Sequence, residues 1–146
     1  MDLDMIRRYN VLERLHEIKR TDIISNLYQV NKEALLKEWV SMEDIVKVKF
    51  LEATIGLNSN GLKYAVYDKE NKNPVQYALK INDYPYDVKS NIQHLVLWSL
   101  KVISPEEIDI ILKQELKDVK DMCWIEQKDN YKSVKGIWHV HVFVEH

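Results

Sequence analysis

The run IWHVHVFVEH (137–146) places His139 and His141 two residues apart in an apolar setting. Residues two apart on a strand point to the same face, so both imidazoles are expected side by side, with Trp138, Val140 and Val142 on the other face. Near neutral pH an imidazole serves as nucleophile, proton shuttle or metal ligand. A histidine pair on a strand is also, more plainly, half-exposed polar decoration. His94 heads a second apolar run, HLVLWSLKVI (94–103), after a loop rich in Asp and Asn. A strand end beside a polar loop is a common place for a functional side chain. If the two strands meet, three imidazoles converge. Three would suffice for a zinc site with an open position. No Asp or Glu is spaced to complete a metal motif, so no metal and no cofactor are expected.

Further candidates stand in the loops. Asn130, Lys132 and Ser133 offer an amide, an ammonium and a hydroxyl just before the last strand, a set able to hold a phosphate by charge and hydrogen bonding. The same stretch also reads as an ordinary solvated hairpin loop. Asn82-Asp-Tyr-Pro-Tyr86 leaves a strand through a turn forced by Pro85, and its tyrosines either wall a pocket or cover the sheet edge. Of Trp39, Trp98, Trp124 and Trp138, at least two are expected in the core, while Trp98, Trp124 or Trp138 could stack a base, with Trp98 the binding candidate. The catalytic candidates are therefore His141, His139 and His94. The ligand-binding candidates are Asn82, Tyr86, Trp98, Asn130, Lys132 and Ser133. Cys123 lies between Met122 and Trp124 with no base beside it and reads as packing.

The elements that must position these residues change character along the chain. Residues 1–55 read as helical. Leu3, Ile6, Leu12, Leu15 and Ile18 recur at three- and four-residue spacings. Thr21 and Asp22 cap a short helix through Leu27, Asn31 caps another with Leu35, Leu36 and Trp39, and Ser41 opens one running to Leu51. GLNSNG (56–61) reads as a loop or linker. LKYAVYD (62–68) and PVQYALKI (74–81) read as a hairpin across KENKN. The 94–103 run is apolar on both faces and so central. Ser104-Pro-Glu-Glu107 starts a helix whose buried stripe is Ile108, Ile111, Leu112, Leu116 and Val119. Residues 122–127 and 137–145 complete the sheet. The expected fold is α+β: a helical segment, then an antiparallel sheet of about five strands with one crossover helix, within one domain of residues 1–146.

Bulk properties exclude several classes. The chain has 146 residues, 46% hydrophobic and 30% charged, within the usual range of globular domains. Its 21 basic and 23 acidic residues give a net charge of −2, so no bulk field draws it to nucleic acid or anionic lipid, although a local basic patch is compatible with this. The three glycines form neither a GxGxxG nor a GKS/T loop, which argues against Rossmann and P-loop sites. The single cysteine excludes an internal disulfide and fits a reducing compartment. No secretory signal or membrane span is expected, and an intracellular, cytoplasmic location is.

Two resemblances attach to these residues. LERLHEIKRT (12–21), LYQVNKEALLKEW (27–39), NDYPYDV (82–88), HLVLWS (94–99), NYKSV (130–134) and WHVHVFV (138–144) resemble a domain-of-unknown-function family whose named fungal members are N-acetylglucosamine-induced proteins. That resemblance spans nearly the whole chain and implies no reaction. Over residues 62–145, the order of strands, the His94-headed strand, the helix at SPEE and the terminal HVHVFV are similar to the histidine-triad (HIT) hydrolases and transferases. This second resemblance implies a HIT-like fold and a nucleotide bound over the sheet, attacked at its α-phosphate by a histidine. Here either Ile137 or Phe143 replaces one strand histidine, and the glycines flanking the family's motif are absent. The implied nucleophile is His141 if Phe143 fills the third place and His139 if Ile137 fills the first, with His94 and Ser133 on phosphate. The expected ligand is a nucleotide or other phosphate ester. The alternatives are a non-catalytic module for a nucleotide, modified base or RNA cap, and an interaction module whose N-terminal helices dock a protein.

Overall fold

The computed structural model describes residues 1–70 and 75–146. Helices α1 (Leu3–Val11), α2 (Asp22–Leu35) and α3 (Met42–Phe50) come first. Strands β1 (Thr54–Leu57), β2 (Lys63–Val66), β3 (Tyr77–Ile81) and β4 (Ile92–Ser99) follow, then α4 (Pro105–Glu115), β5 (Asp121–Ile125) and β6 (Trp138–Glu145). This is the expected mixture of helix and antiparallel sheet. Helix starts follow local chemistry: the side chains of Asp2, Thr21, Ser41 and Ser104 accept the backbone N–H of Met5, Ile24, Asp44 and Glu107 at 2.9, 3.3, 3.2 and 3.2 Å. Each cap satisfies an amide that the first turn leaves open. Two expected short helices are in fact one, α2, with Asn31 inside it rather than capping. No Gly or Pro interrupts residues 22–35, so no breaker separates the two segments.

The strands form two sheets, β3-β4-β6-β5 and β1-β2, with every neighbouring pair antiparallel. The five-stranded sheet expected from the sequence is therefore four-stranded. Residues 63–66 pair backwards with β1 instead of forwards with β3. The reason lies in GLNSNG: Gly56 and Leu57 end β1, a strand the sequence reading missed, and Asn58–Gly61 form a tight loop rather than a linker. Asn58 Oδ1 accepts the N–H of Asn60 and of Leu62, both at 2.9 Å, and Gly61 turns the chain at φ +77°. The small sheet is pinned to α3 by Asp44 Oδ1, which accepts the Ala65 N–H at 2.8 Å. The expected KENKN turn and the first residue of the 74–81 strand fall partly outside the described residues.

Alternation along β4 and β6 separates two faces. His94 pairs with Phe143, Val96 with His141 and Trp98 with His139. On the opposite face Leu95, Leu97, Val140, Val142 and Val144 pack against Ile108, Ile111 and Leu112 of α4. Burying each such side chain contributes about 1.5–3 kcal/mol of transfer free energy. The histidine face is roofed by the N-terminal third of the chain. Leu3, Ile6 and Ile18 pack around Ile125 and Phe143, and Val46 and Leu51 around Val96 and Trp98. Arg7 holds α1 to β5, donating to both Asp121 carboxylate oxygens at 3.0 and 2.6 Å. Among the described residues no helix is long and apolar enough to cross a membrane.

Candidate functional site

The turn after β3 builds one wall of the site. Asn82 donates its N–H to the His94 carbonyl at 2.9 Å, and its Oδ1 accepts the Tyr84 N–H at 2.8 Å. The folded-back Asn-Asp-Tyr-Pro segment then lays Tyr86 over the sheet, with its ring centroid 4.6 Å from His94 and 4.8 Å from His141. The Tyr86 N–H donates to His94 Nδ1 at 3.0 Å. That bond fixes the proton of His94 on Nε2, which donates to His141 Nδ1 at 2.8 Å. The proton of His141 is then on Nε2, which donates to the Tyr86 hydroxyl at 3.2 Å. The three side chains form a closed circuit in which every ring nitrogen is used.

The circuit holds neutral rings. Burial, reinforced by the Arg20 guanidinium, pushes His94 down to about 3. Burial and then the neighbouring His94 push His141 well below its ordinary value. Burial pushes the Tyr86 phenol up, against the opposing influence of Arg20. A neutral imidazole in a low-dielectric setting is the form that donates or accepts a single hydrogen bond on each nitrogen.

His139 is different. Its Nδ1 lies 3.0 Å from the Ile137 carbonyl, which can only accept, so Nδ1 carries the proton and Nε2 a lone pair. Nε2 has no protein partner among the described residues, and His139 lines a cavity of about 140 Å³ between the sheet, α2, α3 and the 82–84 turn. Burial lowers the pKa of His139, with the Ile137 bond opposing and Lys132 assisting. The Trp98 ring lies 4.6 Å from the imidazole and orients it. The result is a neutral ring with one nitrogen anchored and the other open.

Arg20 stands at the mouth. Its Nε donates to the Tyr84 carbonyl at 2.8 Å and its Nη1 to Ser133 Oγ at 3.0 Å, while its plane lies 4.3 Å over the Tyr28 ring. No carboxylate pairs with it among the described residues, and its guanidinium lines the cavity. An uncompensated, oriented guanidinium is suited to an anion, above all a phosphate or carboxylate.

The candidates named from sequence divide by location. Asn82, Trp98, Ser133, His139 and His141 line the cavity, with Tyr86 and His94 directly behind. Lys132 lies outside it, its ammonium 3.2 Å from Asp129 and 3.8 Å from Glu126. Asn130 is exposed and does not reach the cavity. His94 and His141 direct nitrogens at each other and not at a common point, and among the described residues no three potential ligand side chains are grouped to hold a metal. Sequence reasoning missed Arg20, Tyr28 and the α3 wall formed by Ile45, Val46, Lys49 and Phe50. Only the pairing of four arginines with 17 lysines marks Arg20 as unusual, and that does not give its place.

Residues 3–118 match the family described as "Protein of unknown function (DUF3605)". The chain belongs to this family. It is a family without an assigned function, as the first resemblance implies. The match contains Arg20, Asn82, Tyr86, His94 and Trp98 and ends before β5 and β6, so His139 and His141 lie beyond it. No curated protein matches the chain. Among solved structures, "Crystal Structure of HTC1" is similar with a TM-score of 0.65 and 21% identity, covering 99% of this chain and 84% of that one. At that identity the likeness concerns the fold. The histidine-triad resemblance gains no support from these matches.

Proposed function

We propose that this member of the family binds and processes a nucleotide or other phosphate ester, with His139 as the reacting imidazole. The observation that supports it is the open, unprotonated Nε2 of His139 in a cavity whose mouth carries the unpaired Arg20 guanidinium. Arg20 and the Ser133 hydroxyl would hold the phosphoryl oxygens, and Trp98 and Phe50 would flank the organic part. Nε2 attacks phosphorus, the ester oxygen leaves with the bonding pair, and a phosphoramidate forms. Water then cleaves the P–N bond and restores the imidazole. The Ile137 carbonyl disperses the positive charge that develops on the ring, and Arg20 that on the phosphoryl oxygens. In this reading His94, His141 and Tyr86 form the rigid floor that sets the position of His139.

Ligand binding without chemistry is the second reading. It is favoured by the commitment of both nitrogens of His94 and of His141 within the circuit, which leaves one imidazole open. Phosphorus NMR of a nucleotide panel and capped RNA, with thermal shift on the same samples, separates the two. Turnover that vanishes in His139→Asn with unchanged melting supports catalysis; stabilisation by ligand with no product supports binding alone. Turnover that survives His139→Asn defeats the assignment of the reacting imidazole. The interaction-module alternative has an exposed apolar stripe, Ile23, Leu27 and Val30 on α2, distinct from Tyr28, Asn31 and Leu35, which line the cavity that the ligand readings use.

A further inference from the structure

The cavity does not end at Arg20. A groove of about 580 Å³ continues from it between α2 and residues 132–135, sharing Arg20, Tyr28 and Ser133 with the cavity. Lys32 lines one wall of this groove and Lys135 the other. Neither has an ion-pair partner among the described residues. Lys132 also faces the groove but is held by Asp129 and Glu126. Glu43 is the one carboxylate among the described residues that line it. Its charge is directed to Lys47 at 3.6 Å, and its carboxylate lies against the backbone of Gly136. On a chain with net charge −2, three cations with no ion-pair partner among the described residues, Arg20, Lys32 and Lys135, therefore line a single channel. Like charges held together cost free energy unless an opposite charge joins them.

We infer that the ligand carries phosphates in series, the first at Arg20 and the others running outward between Lys32 and Lys135. A nucleoside polyphosphate and the phosphodiester backbone of a single-stranded oligonucleotide both have this chemistry. The inference rests on the phosphate-ester reading of the cavity and adds that one phosphate does not fill the site. The apolar cavity takes the ring end, and the groove takes the charge.

Titration calorimetry with inorganic phosphate and tripolyphosphate tests it without depending on any base. Tripolyphosphate should bind about tenfold more tightly or better, the size expected of two exposed ion pairs. The gain should disappear in the Lys32→Ala/Lys135→Ala double variant and persist in a Lys113→Ala/Lys117→Ala control on the α4 side. Arg20→Ala should weaken both probes. Equal affinity for the two probes, or a gain untouched by the Lys32/Lys135 pair, overturns the inference while leaving the single-phosphate reading standing. Failure of both probes to bind the wild type overturns both. A nucleoside triphosphate and a mixed-sequence six-nucleotide strand then identify the source by which binds more tightly.

Discussion

The two faces of the central sheet are made by alternate residues of the same strands, yet they are built to different ends. Toward α4, Leu97, Val140, Val142 and Val144 are fully buried and make only apolar contacts. Toward the N-terminal helices, the neighbouring positions hold His94, His139 and His141, a tyrosine laid over them, and a cavity. The first face supplies stability through close packing. The second carries buried polar groups that are tolerable only because each nitrogen of the circuit has a partner. The contrast teaches that the polar network is a closed framework, while the imidazole left outside it is the one with an open nitrogen, the position proposed above to react.

Acidification should separate the faces most. Burial keeps the folded-state pKa of His94 and His141 below the ordinary 6.5, so the unfolded chain binds their protons first. Stability is full above pH 6.5 and falls as pH drops toward the folded value, about 3 for His94. For His94 this is roughly 1.4 kcal/mol per pH unit in that window, about 3 kcal/mol by two units below the ordinary value, and His141 acts in the same direction. Urea midpoints measured from pH 7 to 4.5 check this, and a slope unchanged by His94→Asn would show that the rings are not buried neutral.

Leu97→Ala, on the α4 face, should cost about 2–5 kcal/mol in chemical denaturation while leaving ligand binding intact. A loss under about 1 kcal/mol would mean that α4 does not seal that face. Tyr86→Phe should cost less, about 1–3 kcal/mol, because it leaves the His141 Nε2–H buried without an acceptor. If thermal melts show no difference, the circuit is not closed through the hydroxyl. Lys49→Ala, at the exposed cavity rim, should change stability by no more than about 0.5 kcal/mol, yet weaken phosphate-ester binding. A variant that loses stability and keeps affinity would reverse the division between the faces.

Much of this was legible in the chain. The caps at Thr21, Ser41 and Ser104, the buried Ile108, Ile111 and Leu112 of α4 (Leu116 and Val119 of the expected stripe lie past its end) and the central position of β4 follow from local rules, because a helix start or a doubly apolar strand is decided within a few residues. The site was legible in its floor: Asn82, Tyr86, His94, Trp98 and the terminal histidines were all singled out. Arg20 was not, since its role depends on meeting Tyr84 and Ser133, residues 64 and 113 positions away. The pairing of β2 was misread for a related reason: strand propensity marks a strand without naming its partner, and the Asn58–Gly61 turn settled which neighbour it took.

By itself the sequence determined the helix starts at Thr21, Ser41 and Ser104, the strand character of β4 and β6, and that His139 and His141 share a face, because capping and backbone periodicity are short-range; it missed β1, read as the end of a helical segment and a loop. Only the tertiary structure decided that His94 meets His141, that Tyr86 closes the circuit, and that His139, of the three sheet histidines, keeps an open nitrogen. Those outcomes depend on strand register and on where buried donors find acceptors, which is fixed when distant segments pack together.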